Sequence, residues 1–136
     1  MGYKFEKLEV WQFALEYIEL IYTIADKLPE TEKFNLISQI RRAATSIALN
    51  IAEGSTSQSD GEQSRFLGYA VRSLIETVAC QHLIQRHGYL ESGILRDAYA
   101  RSEILFAKLQ AFRNSLKSGA IRESNAEYTV DDASPF

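Results

Sequence analysis

The side chains best suited to chemistry are concentrated on one stretch of this 136-residue chain. Gln39, Arg42, Ser46, Asn50 and Glu53 recur at steps of three and four, which puts them in one line along an α-helix. Ile and Ala fill the opposite face of that helix. Ser and Asn compete with the backbone for hydrogen bonds and are mediocre in helix interiors, so propensity does not account for them here. A second polar set, Arg72, Ser73 and Glu76, lies further on. Arg41 or Arg42 paired with Glu76 would make a charge-assisted bond between two helices, and the amides and hydroxyls could complete a connected network. Two readings fit these residue types. As a network the ladder sets helix register; as a groove lined by Arg41, Arg42 and Asn50 it takes a ligand or RNA.

Catalytic constellations are not found. His82 and His87 are five apart, about 140° around a helix, and do not form the same-face pair that a metal site needs. Cys80 stands among Val78, Ala79 and Leu83, where a thiol packs as a small apolar group, and no base or electropositive pocket is in view to activate it. Glu53 is an isolated carboxylate, and there is neither a glycine-rich phosphate loop nor a Gly-x-Ser-x-Gly turn. Trp11 and the many Tyr and Phe residues sit at helical spacing and read as core or interface. The expectation is a non-enzyme with no catalytic residue, cofactor or metal.

Four helices position these residues. From Leu8 to Leu28 the residues Trp11, Ala14, Leu15, Ile18, Ile21, Tyr22, Ala25 and Leu28 follow the helical period, and Pro29 ends the run. Thr31 is a candidate cap for a second helix carrying Ile37, Ile40, Ala44, Ile47, Ala48 and Ile51, with Gly54 as its left-handed stop. Ser59-Asp60-Gly61-Glu62 reads as a capping box opening a third helix, which carries Leu67, Val71, Leu74 and Val78 and closes at Gly88. Ser92 is a candidate cap for a fourth helix reaching about Ser118. Long helices joined by short turns predict an all-α, antiparallel up-down-up-down bundle over residues 1–118. Residues 119–136 lack a helical stripe and read as a flexible, loosely ordered acidic tail.

The first helix carries a further apolar line. Phe13, Tyr17, Leu20 and Ile24 lie about 130° around from the main stripe and form the candidate oligomer interface, since so small a chain has little interior in which to bury a helix on two faces. A single cysteine rules out an internal disulfide and suits a reducing cytoplasm. No signal-like or membrane-spanning apolar run is present, so a membrane partner is not expected.

Net charge is −3, with 15 Lys and Arg against 18 Asp and Glu, a balance that by itself argues against a dedicated nucleic-acid binder. Its distribution changes that reading. Residues 1–118 hold 14 basic and 14 acidic side chains, whereas residues 119–136 hold one and four. Glu91 to Lys117 is basic, five against three. Arg41, Arg42, Arg65, Arg72, Arg96, Arg101, Arg113 and Lys117 are therefore kept as candidate nucleic-acid contacts.

The run from Phe34 through Gln39, Arg41, Arg42, Ser46, Asn50 and Glu53 to Gly54 resembles the signature of the four-helix-bundle family named for proteins encoded in intervening sequences of 23S ribosomal RNA. The likeness extends through Phe5, Leu8, Val10, Trp11 and Pro29 upstream and Phe66, Leu67, Ala70, Ser73, Leu74 and Glu76 downstream, over about residues 5 to 115. Relatives in that family include the accessory variability determinant of diversity-generating retroelements, a basic homopentameric barrel that works with a reverse transcriptase and its RNA. The resemblance implies a bundle assembled into a ring, a homopentamer, acting as an interaction or accessory module, with RNA or a nucleic-acid-processing protein as partner. Two departures stand out. The loop Ser55–Ser59 is uncharged where many members are basic, and Arg72 replaces a residue that is commonly small.

Overall fold

The computed structural model describes residues 2–118 and 134–136. After a 3-10 turn at Lys4–Lys7, four helices follow: α1 (Glu9–Asp26), α2 (Leu36–Gly54), α3 (Asp60–Arg86) and α4 (Ser92–Ser118). Among the described residues there is no strand. Sequential helices pack side by side and α4 returns against α1, with α2 on α3 the most extensive pairing and α1 on α4 the least. This is the expected four-helix bundle.

Local chemistry explains where the helices begin and end. Ser59 Oγ accepts the Glu62 amide at 3.1 Å, and Asp60 and Glu62 place negative charge at the positive end of α3. Gly88 adopts φ +71°, and the Tyr89 amide reaches back to the Ile84 carbonyl at 3.2 Å, closing α3 with the left-handed residue that its sequence predicts. Two expectations are corrected. The second helix does not start from a Thr31 cap, because Glu30–Glu32 forms a separate 3-10 turn. There Glu32 Oε1 accepts both the Asn35 Nδ2 and the Leu36 amide, at 3.0 and 3.3 Å, and so takes the role of a cap. Gly54 is not a left-handed stop either; it is buried in the last turn of α2, where an added Cβ would lie 2.9 Å from Phe66 Cβ. Close approach of α2 and α3 is what requires glycine there.

The core runs the length of the bundle through Ala14, Ile21, Ile24, Ile40, Ile47, Ile51, Leu67, Leu74, Ile84, Leu95, Leu105 and Leu109, all essentially sealed from solvent. Each such Ile or Leu contributes roughly 1.5–3 kcal/mol on transfer from water. The sequence expectation for α1 is reversed in part. Tyr17 and Ile24, two of the four proposed interface residues, are 1% and 0% exposed and belong to the core. Phe13 is half-buried near α4, with Lys108 Nζ 4.7 Å above its ring, and Leu20 is half-buried against the core. Leu15 and Tyr22, placed on the core stripe, are the residues that face outward. The Tyr17 hydroxyl forces part of this outcome. It meets Thr77 Oγ1 at 2.7 Å and accepts from Gln81 Nε2 at 3.0 Å, while Thr77 donates to the Leu74 carbonyl at 2.6 Å. Burial raises the Tyr17 pKa, so the phenol stays neutral and serves as a hydrogen-bonding strut across the core.

The loosely ordered tail expected over 119–136 falls mostly on 119–133, outside the described residues. Its last three residues, Ser134–Phe136, pack on the bundle, with Phe136 buried among core side chains.

Candidate functional site

The polar ladder of α2 borders an outward groove of about 750 Å³ lined by residues of α1, the α1–α2 connection and α2. Tyr22 forms one wall, with its hydroxyl 2.9 Å from Thr45 Oγ1. Arg41 stacks over the Tyr22 ring at 5.5 Å and donates from Nη2 to Asp26 Oδ1 at 2.6 Å. Phe34 and Leu49 complete the apolar part, 89% and 55% exposed. Arg42, Ser46, Asn50 and Glu53 supply its polar part.

Within the ladder, Asn50 Nδ2 donates to the Ser46 carbonyl and to Ser46 Oγ, at 2.9 and 3.0 Å, and Ser73 Oγ donates to the same Ser46 oxygen at 2.9 Å. Ser46 is thus the shared acceptor linking α2 to α3. Arg42 Nη2 bonds the Gln39 side-chain oxygen on its own helix. The expected pairing of Arg41 or Arg42 with Glu76 is not formed. Asp26, at the end of α1, captures Arg41, and Glu76 points to solvent on α3. Glu53 is likewise exposed, and among the described residues neither carboxylate has a hydrogen-bond or ion-pair partner.

The candidate nucleic-acid contacts do not form one surface, although Arg65 and Arg72, seven apart, share a line of α3 and the Arg113 guanidinium lies on Gly68 between them. Arg41 and Arg42 are on α2, Arg65 and Arg72 on α3, and Arg96, Arg101 and Arg113 on α4. At about 100° per residue, Arg96 and Arg101 are some 140° apart on their helix, and Arg113 falls on neither line. Arg65 lies 3.9 Å from Glu62, and Arg101 pairs with Asp97 at 3.7 Å and Glu16 at 3.9 Å. Arg96 binds the main-chain oxygen of Phe136 at 3.1 Å. Arg113 packs its guanidinium over Gly68 and donates to Gln110 at 2.9 Å. Arg72 extends into solvent with no ion pair among the described residues. The Lys117 side chain lies outside what the structure describes.

Other chemistry-bearing residues are dispersed. Cys80 is buried, and burial, followed by the Glu76 charge, pushes its thiol up to about 11, so at neutral pH it is a thiol and not a nucleophilic thiolate. His82 and His87 are both exposed. Among the described residues no three His, Cys, Asp or Glu side chains gather where they could hold a metal ion, and no helix is long and apolar enough to cross a membrane.

The sequence reading missed a clasp at one end of the bundle. Glu32 Oε2 accepts the Tyr89 hydroxyl at 2.7 Å, tying the α1–α2 connection to the α3–α4 connection. The Tyr89 bond, then that of Asn35, lowers the Glu32 pKa, and in return the carboxylate raises that of Tyr89. A lone Glu and a lone Tyr in separate turns leave no periodic trace. Leu49, adjoining the polar ladder, was a signal available to reading.

The comparisons with known proteins agree with this architecture. The family model described as 23S rRNA-intervening sequence protein matches residues 6–111. Among solved structures, a protein of unknown function from the S23 ribosomal protein family of Bacteroides thetaiotaomicron superposes with a TM-score of 0.68 at 27% identity, covering 74% of this chain and 94% of that one. No match was found among curated proteins. With more than half of its length matched by the family model, from the first helix through most of the fourth, the chain belongs to the 23S rRNA-intervening sequence protein family.

Proposed function

We propose that the chain is a self-assembling interaction module without catalytic activity, in which the outer α1–α2 face of one copy seats on a different surface of the next, as a closed ring requires, to build the pentamer implied by the family resemblance and present it to a protein partner in the cytoplasm. One observation carries the reading. Leu15, Tyr22, Phe34 and Leu49 expose 39%, 38%, 89% and 55% of their surface on one side of the bundle, beside a groove with polar side chains along it. Apolar surface gathered in this way, with polar groups at its margin, is the composition of a protein-binding face. The groove holds no acid–base pair or activated nucleophile that would suit it to bond making. Sedimentation equilibrium of the full chain at about 50 µM tests the assembly. The reading predicts one species several times the 15.4 kDa chain mass, and a strict monomer contradicts it.

A second reading, RNA or DNA binding, draws on Arg42 and Arg72, which lack an ion pair among the described residues and would be repeated around a ring. It predicts that filter-bound folded RNA is retained at low salt and released steeply as salt rises. Absence of retention at low salt overturns it.

A further inference from the structure

The outer side of the α3–α4 seam is occupied by the chain's own residues. The Phe136 ring is 8% exposed and meets His82 of α3 at a centroid separation of 4.8 Å. Tyr99 of α4 meets it edge-on at 5.6 Å. Arg96 Nη2 donates to the Phe136 main-chain oxygen at 3.1 Å, and the Phe136 amide donates to Ser134 Oγ at 3.0 Å. The segment is held by its ring and by its main chain. Beyond the ring, Tyr99 also lines a hollow of about 340 Å³ with Leu74, Ile75, Val78 and Phe106, so apolar surface continues along the seam.

We propose that the α3–α4 seam is a docking site for a short peptide segment bearing an aromatic residue directly after proline, and that Ser134–Phe136 of the same chain is its resident occupant. His82 and Tyr99 supply ring contacts for the aromatic anchor, and Arg96 supplies a charged donor for a main-chain oxygen. Pro135 fixes one backbone torsion before docking, which reduces the ordering cost. The connection is long enough to dock in cis. Arg96 lies about 33 Å back along α4 from Ser118 at 1.5 Å per residue, and the fifteen residues 119–133 can span about 50 Å when extended. In sequence those residues carry Glu123, Glu127, Asp131 and Asp132 against Arg122, and α4 is the basic helix. A partner that fits the seam therefore carries acidic residues ahead of a proline–aromatic pair. Tethering puts the resident segment at an effective concentration of about millimolar, so it shields the seam from weaker competitors.

A fluorescent peptide of residues 127–136, titrated into the wild-type chain and into full-length Phe136→Ala, tests the assignment. The variant should bind the peptide roughly tenfold or more tighter than wild type, because its tethered competitor is disabled. The same peptide with alanine for its terminal phenylalanine should bind neither. Equal binding by the two chains, or no binding by a variant that keeps wild-type helicity, overturns the proposal. If the variant unfolds, 4-fluorophenylalanine placed at position 136 of the otherwise unchanged chain gives a second readout. Its fluorine resonance should differ from that of the free peptide and move toward it on Tyr99→Ala. A resonance at the free-peptide position overturns docking, and one that changes on dilution assigns the ring to a second copy and overturns the cis assignment.

Discussion

The two long sides of the bundle both carry apolar surface outside the core, and they differ in what lies over it. On the α1–α2 side, Leu15, Tyr22, Phe34 and Leu49 are open to solvent. On the α3–α4 side the chain places Phe136, itself 8% exposed, against His82 and Tyr99 over part of the seam, while Ile75 further along it stays 53% exposed. The chain thus covers part of its α3–α4 side with its own residues, and among the described residues it covers none of the α1–α2 side in that way. That contrast is what supports the proposal of α1 and α2 as the assembly face, with Phe34 and Leu49 its most open apolar side chains.

The seam between α2 and α3 joins these two sides and gives the largest expected effect. Gly54→Ala drives a Cβ into Phe66 Cβ, an atom too close to its backbone to swing aside. The steric cost should exceed alanine's helix-propensity advantage and lower unfolding free energy by about 1–3 kcal/mol in urea titration. Breaking the sides one at a time sharpens the contrast. Phe136→Ala should cost about 1–2 kcal/mol, because it removes an apolar group that is already buried within the chain. Leu49→Glu should leave the stability of the isolated subunit within about 0.5 kcal/mol, because Leu49 makes few contacts inside it. Ser46→Ala removes the oxygen that Asn50 and Ser73 share and should cost about 0.5–1.5 kcal/mol by thermal unfolding, with the variant Ser73→Ala recovering part of the loss when combined with it.

The smallest effect is that of pH on the clasp. Glu32 has a lowered native pKa, so its contribution is present above the ordinary carboxylate value and is lost as pH falls through the native one. Urea midpoints measured from neutral pH downward should therefore decline less steeply in Tyr89→Phe than in wild type.

How much was legible beforehand follows the same contrast. The four helices come from an apolar period sustained along each segment, and the Ser59 cap and the Gly88 stop from signals a few residues long, so reading found them. The inward face of α1 did not. That helix is apolar around most of its circumference, and pattern alone does not choose between Leu15 with Tyr22 and Tyr17 with Ile24. The choice is made by the neighbouring helices, where Thr77 and Gln81 wait for the Tyr17 hydroxyl. Counting Tyr17 as merely apolar hid the need of its oxygen for a partner. Arg41 went to Asp26 instead of Glu76 because the nearer acceptor was on α1, a matter of tertiary placement. Phe136 escaped notice because a single aromatic anchor has no period.

The central claim, that the α1–α2 side is the assembly face and the α3–α4 side is not, is tested most directly by sedimentation of Leu49→Glu and Phe136→Ala beside the wild-type chain. The account predicts a discrete oligomer for wild type and for Phe136→Ala, and a helical species at the 15.4 kDa chain mass for Leu49→Glu. An oligomer that survives Leu49→Glu, or one that dissociates only with Phe136→Ala, would contradict it.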